Sequence, residues 1–348
     1  MTMIFGVPLA VLSGQLLIGV INGAFYALLS LGLAVIFGLL KIINFAHGAM
    51  YMLGAMATVI LFDALGVNYW VALFLAPLLV GVFGMLVEYF LLRRIAGQDH
   101  IYSLLLTFGI ALLVQGVLTN LYGVSGLRYA MPDMFKGGIN LGFMFLPYYR
   151  AWVIGVALLV CFGTWFMIEK TKLGAYLRAG TEDAQLMQGF GVNVPLLVSL
   201  TYGFGVMLAA FAGVLAAPIY SVTPVMGSHI LIVVFAVVVI GGMGSIGGAI
   251  ITGVLMGVIE GLGNPSSTTT GHLSKLGQLI IQRANQKTSC VAIYDDGGML
   301  FDVSGGSSAP SNHGNAKRTG HNGNVAGSPP SLHNKSFNKG GIKSGRLS

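Results

Sequence analysis

The chain has 348 residues, 55% of them hydrophobic and 8% charged, whereas an ordinary soluble domain carries charge at roughly a quarter of its positions; its main solvent is therefore expected to be lipid. Residues 1–262 hold 9 Lys/Arg against 8 Asp/Glu and residues 263–348 hold 9 against 3, so the formal charge of +7 originates in the tail. That tail has neither aromatic interleaving nor a dense basic run, which argues against a nucleic-acid partner.

A bilayer core about 30 Å thick takes roughly 20 apolar residues at 1.5 Å each. Apolar runs near that length are Leu9 to Leu40, over-long and expected to break near Gly32, then Gly48 to Phe62, Tyr69 to Leu92, Ile101 to Leu121 and Ala151 to Ile168. Leu196 to Ala217 follows, and then Ile230 to Leu262, split by a glycine cluster. The first run has no basic n-region and exceeds signal-peptide length, so it is expected to stay as a span. The expected fold is an all-α polytopic membrane protein, a bundle of about seven or eight spans.

Lys and Arg beside short loops mark the cytoplasmic side. Arg93 and Arg94 mark it once, Lys170, Lys172 and Arg178 mark it again two spans later, and counting back places Lys41 there too. The Gly/Pro-containing segment from Tyr122 to Arg150 then lies outside, with Tyr129, Tyr148, Tyr149 and Trp152 at headgroup level, although Arg128, Lys136 and Arg150 on that side run against the charge rule. Small-residue spacings such as Gly203 to Gly205 and Gly253 to Gly257 suit close helix approach in lipid.

Three polar or glycine-rich blocks interrupt this pattern. In the first, Ile43-Asn44-Phe45-Ala46-His47-Gly48, the polar groups of Asn44 and His47 sit beside apolar sequence, where they are costly unless paired or facing a cavity. They fit either a lining or gating position on a substrate path or an interfacial cap at a helix start. The second block, Lys170 to Pro195, fits a short amphipathic helix pair, with Leu173, Tyr176, Leu177, Ala184, Leu186 and Met187 supplying the apolar side and Arg178, Glu182 and Asp183 the polar one. Gly189 and Gly191 end that pattern, and Asn193-Val194-Pro195 suits the start of the next span. The third block, Gly241 to Gly248, includes Gly242, Gly244 and Ser245 and fits a non-helical break whose exposed amides could take a carboxylate, or a tight turn between helices.

Glu88 and Glu260 are ionisable groups in or near apolar runs, with Arg93 and Arg94 close enough to Glu88 for an ion pair. No GxxxxGK[ST] loop, HExxH, Cys/His cluster or nucleophile–base arrangement is present, and Cys161 and Cys290 form no motif, so neither a metal site nor an ATPase of its own is expected.

The pattern Gly174, Arg178-Ala179, Glu182-Asp183-Ala184, Gly191-Val192-Asn193 resembles the cytoplasmic coupling loop of branched-chain amino acid ABC permeases, of the high-affinity leucine/isoleucine/valine type. The Asn44/His47 block and the glycine cluster are similar to two further signatures of that family. The resemblance covers roughly residues 8 to 262. It implies a transport subunit rather than an enzyme, in a bacterial inner membrane, half of a two-permease channel. It also implies partners: a second permease subunit in a heterodimer, two cytoplasmic ATP-binding subunits and a periplasmic substrate-binding protein. ATP is then used by the partner, and this chain binds no cofactor. Gly174, Arg178, Ala179, Glu182, Asp183, Ala184, Gly191 and Asn193 would couple to the ATPase, and Asn44, His47, Gly242, Gly244 and Ser245 would be candidates for the substrate path. Urea and short-amide importers have similar permeases. An ion-coupled secondary carrier is a different alternative, but such carriers place their paired ionisable groups at the bilayer midplane rather than in a loop.

Residues 263–348 change abruptly to Gly/Ser/Asn/His/Lys-rich sequence, expected to be disordered because little burial offsets chain entropy. The family's usual last span and basic end are not found there, which fits a shifted reading frame near Gly263, or else a regulatory extension.

Overall fold

A computed structural model describes residues 3–4, 7–40, 42–95, 98, 100–140 and 145–263, with only the backbone at 3–4, 7–11, 100, 181–182, 184 and 263. The expectations for Lys41 and for the 263–348 tail lie outside the described residues, Gly263 apart.

A short antiparallel pair, β1 (Met3–Ile4) and β2 (Val7–Pro8), precedes helix α1 (Leu9–Leu40). Then come α2 (His47–Leu65) and α3 (Tyr69–Val87), the latter continuing through a π turn (Glu88–Leu92) into a last turn, α4 (Arg93–Ile95). Helix α5 (His100–Tyr122) leads into a loop that carries the hairpin β3 (Gly138–Asn140) and β4 (Phe145–Pro147). After α6 (Tyr148–Lys170), the short α7 (Lys172–Glu182) and α8 (Ala184–Gly189) precede α9 (Val194–Ala216), α10 (Met226–Gly241) and α11 (Ile246–Gly263). Six of these helices are long and apolar enough to cross a membrane and two more, Met226–Gly241 and Ile246–Leu262, are shorter apolar helices. The chain is thus an all-α multi-pass membrane protein with the expected order of spans.

One expectation fails. Helix α1 runs unbroken through Gly32. Gly32 instead marks a close crossing: a Cβ there would meet the Gly205 carbonyl at 2.7 Å and the His47 ring at 3.0 Å. Helix α9 is the centre of the bundle, packed against α1, α2 and α3 and buried along most of its length. Helices α1 and α11 run antiparallel in near-backbone contact, with Gly19 against Gly257, and Gly38 lies against Gly244 in the turn just before α11. No gain from excluding water is available between helices in lipid, so such close van der Waals approach has to supply the association.

The bundle has two chemically different ends. At one, Arg93 Nη2 donates to the Pro195 carbonyl at 2.7 Å, joining the end of α3 to the start of α9, so that Arg93 and the loop carrying Lys172 and Arg178 belong to the same end, as the charge pattern predicts. At the other, rings of Tyr69, Trp70, Phe135, Tyr149 and Trp152 pack edge-to-face or tilted at 5.5–6.0 Å. Tyr149 and Tyr129 are therefore buried within the protein rather than standing as lipid-interface anchors, because neighbouring helix ends cover them. Tyr149 Oη donates to the Leu215 carbonyl at 3.0 Å and bonds Tyr69 Oη at 2.9 Å. Lys136, hydrogen-bonded to Asp133 in the same outer loop, holds that carboxyl below the ordinary carboxylate range.

Candidate functional site: a polar core beneath the basic-end loop

The basic-end loop forms as predicted, as two short helices. Thr171 ends α6, and α7 turns back so closely that a Cβ on Gly174 would overlap the Ile168 carbonyl. Arg178 reaches the same helix end, its Nη1 lying 3.4 Å from the Ile168 carbonyl and from Glu169 Oε2. Asp183 Oδ1 accepts the Leu186 N–H at 2.9 Å and so caps α8; Asn193 Oδ1 accepts the Leu196 N–H at 3.2 Å and caps α9. Gly191 adopts φ +80° between the caps, a conformation costly for residues with a Cβ, and Ala179 is half-buried in α7. An open groove of about 300 Å³ runs along Gln188, Gly191, Val192, Asn193 and Pro195.

The amphipathic assignment is only half right. Leu177 packs against the core, but Leu173, Tyr176 and Leu186 project outward, and Phe190 at the end of α8 is 76% exposed. Helical period locates an apolar stripe without saying what covers it. The polar residues Asp183 and Asn193 do local capping work, and large apolar side chains stand exposed on the loop alongside Lys172, Arg178, Gln185 and Gln188. The signal that could have revealed this was Phe190, a large ring in a segment rich in Gly and polar residues.

Asn44 and His47 are 0% and 1% exposed and lie inside the bundle. His47 Nε2 contacts the Leu29 carbonyl at 3.0 Å, 11 residues or about 16 Å of helix from the end of α1. Residues 42–46 are non-helical at this depth, which membrane proteins tolerate only where the backbone is enclosed by protein or lines a cavity. Asn44 Oδ1 accepts the Ala46 N–H at 3.0 Å, and Thr107 Oγ1 accepts the Phe45 N–H at 3.1 Å. Asn44 thus serves a backbone N–H just before α2, as the cap alternative expects, but inside the bundle, with Gly48 pressed against the Gly227 backbone. Tyr202 of α9 lies within interaction range of Asn44 and of the Glu88 carboxylate. Among the described residues, His47 Nδ1 lacks a hydrogen-bond partner, and Asn44 Nδ2 and Tyr202 Oη have none of good geometry beyond each other. Buried polar atoms left short of partners in mid-bundle make this cluster the polar core of the protein.

Gly242, Gly244 and Ser245 are not part of this cluster. They form the turn between α10 and α11, with φ +94° at Gly242 and +95° at Gly244 and Gly244 against Gly38, six residues or about 9 Å of α1 from Gly32 and His47. Ser245 Oγ accepts the Gly248 N–H at 3.1 Å, starting α11. The tight-turn alternative describes this block.

A lipid-facing helical bundle with a buried polar core and an exposed loop at its basic end defines a membrane permease component. Residues 15–280 match the family described as the permease component of branched-chain amino acid transport systems, and the chain belongs to that family. The match extends past residue 262, where the sequence resemblance was expected to stop. The branched-chain amino acid permease BraD of Pseudomonas aeruginosa is 31% identical over 263 residues, 72% of this chain and 85% of the relative. LivH of Escherichia coli K12, a permease of the same description, is 28% identical over 269 residues, 73% and 87% of the two chains. The ribose import permease RbsC of the same strain is 28% identical over 172 residues, covering 47% of this chain and 52% of its own. No solved structure matches the chain.

Proposed function

We propose that this chain is the membrane-spanning subunit of an ATP-driven importer that moves branched-chain amino acids across a bacterial inner membrane. Its partners are a second permease subunit, two cytoplasmic ATP-binding subunits and a periplasmic substrate-binding protein. ATP is hydrolysed in the partner.

The carrying observation is the exposure of four large apolar side chains, Leu173, Tyr176, Leu186 and Phe190, on the loop at the basic end. Large apolar groups on a loop outside the spans favour a protein partner. In this reading those four side chains seat in the ATP-binding subunit. Gly174, Arg178, Ala179, Asp183, Gly191 and Asn193 give the loop its shape, and Glu182 and Ala184 belong to the same coupling segment. Closure of the ATPases pulls the loop, α9 shifts with it, and the Asn44/His47/Tyr202 cluster alternates between enclosure and opening to the solute. Gly242, Gly244 and Ser245 act as the α10–α11 hinge of that movement. Branched-chain substrates are preferred to urea or amides because the relatives matching most of the chain carry that description, while the sugar permease matches half of it.

The test is uptake of radiolabelled leucine and urea, each competed with the other, in cells lacking the gene and complemented with it. Leucine uptake that urea does not compete is the expected result. Uptake restored for urea alone overturns the substrate assignment, and leucine uptake that persists when ATP is depleted but the proton gradient is kept overturns ATP coupling.

A further inference from the structure

The end of α3 leaves α-helical geometry at Glu88–Leu92, a π turn, a feature that recurs at functional sites. There Glu88 is 2% exposed, and its Oε2 accepts the Ser199 hydroxyl of α9. Its Oε1 lies 3.8 Å from Arg93 Nε. Arg93 in turn donates to the Pro195 carbonyl at 2.7 Å and lies over the Tyr89 ring, 5.1 Å from its centroid. Ser199 Oγ also lies 3.3 Å from the Pro195 carbonyl. Pro195, Arg93, Glu88 and Ser199 thus close a ring that holds the first turn of α9 to α3.

The position of the ring is informative. Two residues before Pro195 stands Asn193, the cap that joins α9 to the basic-end loop. Less than one turn beyond Ser199 stands Tyr202, which lies within interaction range of both Glu88 and the Asn44 of the buried cluster. A carboxylate buried among spans is costly, and well-packed apolar side chains would join two helices more cheaply. Charge-assisted hydrogen bonds, unlike apolar contact, fix direction and distance, which a part that transmits displacement needs.

We propose that the Arg93–Glu88–Ser199–Pro195 ring is the joint that carries movement of the α7–α8 loop to the Asn44–Tyr202 cluster, with Glu88 and Arg93 as positioning residues for transport. This inference rests on the function proposed above. The experiment uses the assembled transporter in proteoliposomes, with its binding protein, and measures leucine uptake and ATP hydrolysis per assembled complex. A wild-type complex without leucine-stimulated hydrolysis and uptake overturns that function itself. Given a coupled wild type, Glu88→Gln, Arg93→Ala and Ser199→Ala should retain hydrolysis while uptake falls, raising ATP consumed per leucine at least about fivefold, the lower range of inter-site couplings. Arg93→Lys should restore part of the coupling, and Glu88→Gln with Arg93→Ala together should be no worse than either alone, because both break one ring. Uptake and hydrolysis falling in parallel, or an unchanged ratio, overturns the proposal. Should Arg93→Ala fail to assemble, Ser199→Ala, which removes one hydroxyl and no charge, decides the matter on the same ratio.

Discussion

Replacing Phe190 by Ala removes the most exposed ring of the loop while leaving the backbone turn at Gly191 in place. An aromatic side chain can bury about 150–250 Å², and 76% of Phe190 is exposed, which leaves about 110–190 Å² available to a partner. At about 25 cal/mol per Å² this is worth about 3–5 kcal/mol, a ceiling, because association also orders side chains and desolvates polar neighbours. Realising half of it weakens binding by about 1.5–2.5 kcal/mol, roughly 10- to 70-fold in Kd. The assay is binding of the ATP-binding subunits to permease-containing proteoliposomes, with Leu159→Ala as the control. Leu159 is 71% exposed but lies on the apolar span α6, where lipid covers it, so truncation there should leave ATPase affinity unchanged. If Phe190→Ala weakens binding less than about twofold, or Leu159→Ala weakens it equally, the assignment of these loop side chains to the ATPase is wrong.

Two further perturbations test the framework that holds the site. Tyr149→Phe deletes the hydroxyl that serves the Leu215 carbonyl, one of the last in α9 and without an intrahelical partner; a buried acceptor left unpaired costs about 1–3 kcal/mol, so thermal unfolding in detergent should drop by at least about 2 °C. Tyr69→Phe, which leaves that carbonyl paired, should cost less, and the reverse order would refute the assigned bond direction. Gly174→Ala places a methyl on the Ile168 carbonyl and must displace α7, an overpacking cost of about 1–3 kcal/mol; leucine uptake should fall with the permease still in the membrane, and unchanged uptake would show that the α6–α7 crossing does not set the loop's position.

The lengths and order of the spans were legible in the sequence because they depend on a local quantity, the run of apolar residues needed to cross a fixed hydrocarbon thickness. Local capping chemistry was equally legible at Asn193 and at the Gly189/Gly191 end of the loop. A glycine such as Gly32, by contrast, is ambiguous in sequence: the same residue type signals a helix break or a helix crossing, and only the presence of Gly205 and His47 opposite it decides. The covering of an apolar stripe is likewise a long-range fact, so the outward turn of Leu173, Tyr176 and Leu186 could not be foreseen from periodicity. The same holds for the polar core. Asn44, Glu88 and the Ser199/Tyr202 pair are far apart in the chain, and each alone reads as an isolated polar feature in an apolar run. What the sequence by itself determined is a chain solvated by lipid, with its spans in order, its basic loop and its family signatures. The tertiary structure alone decided which polar groups meet, because burying a polar atom among spans demands partners, and those partners come from helices that pack together only in the folded bundle.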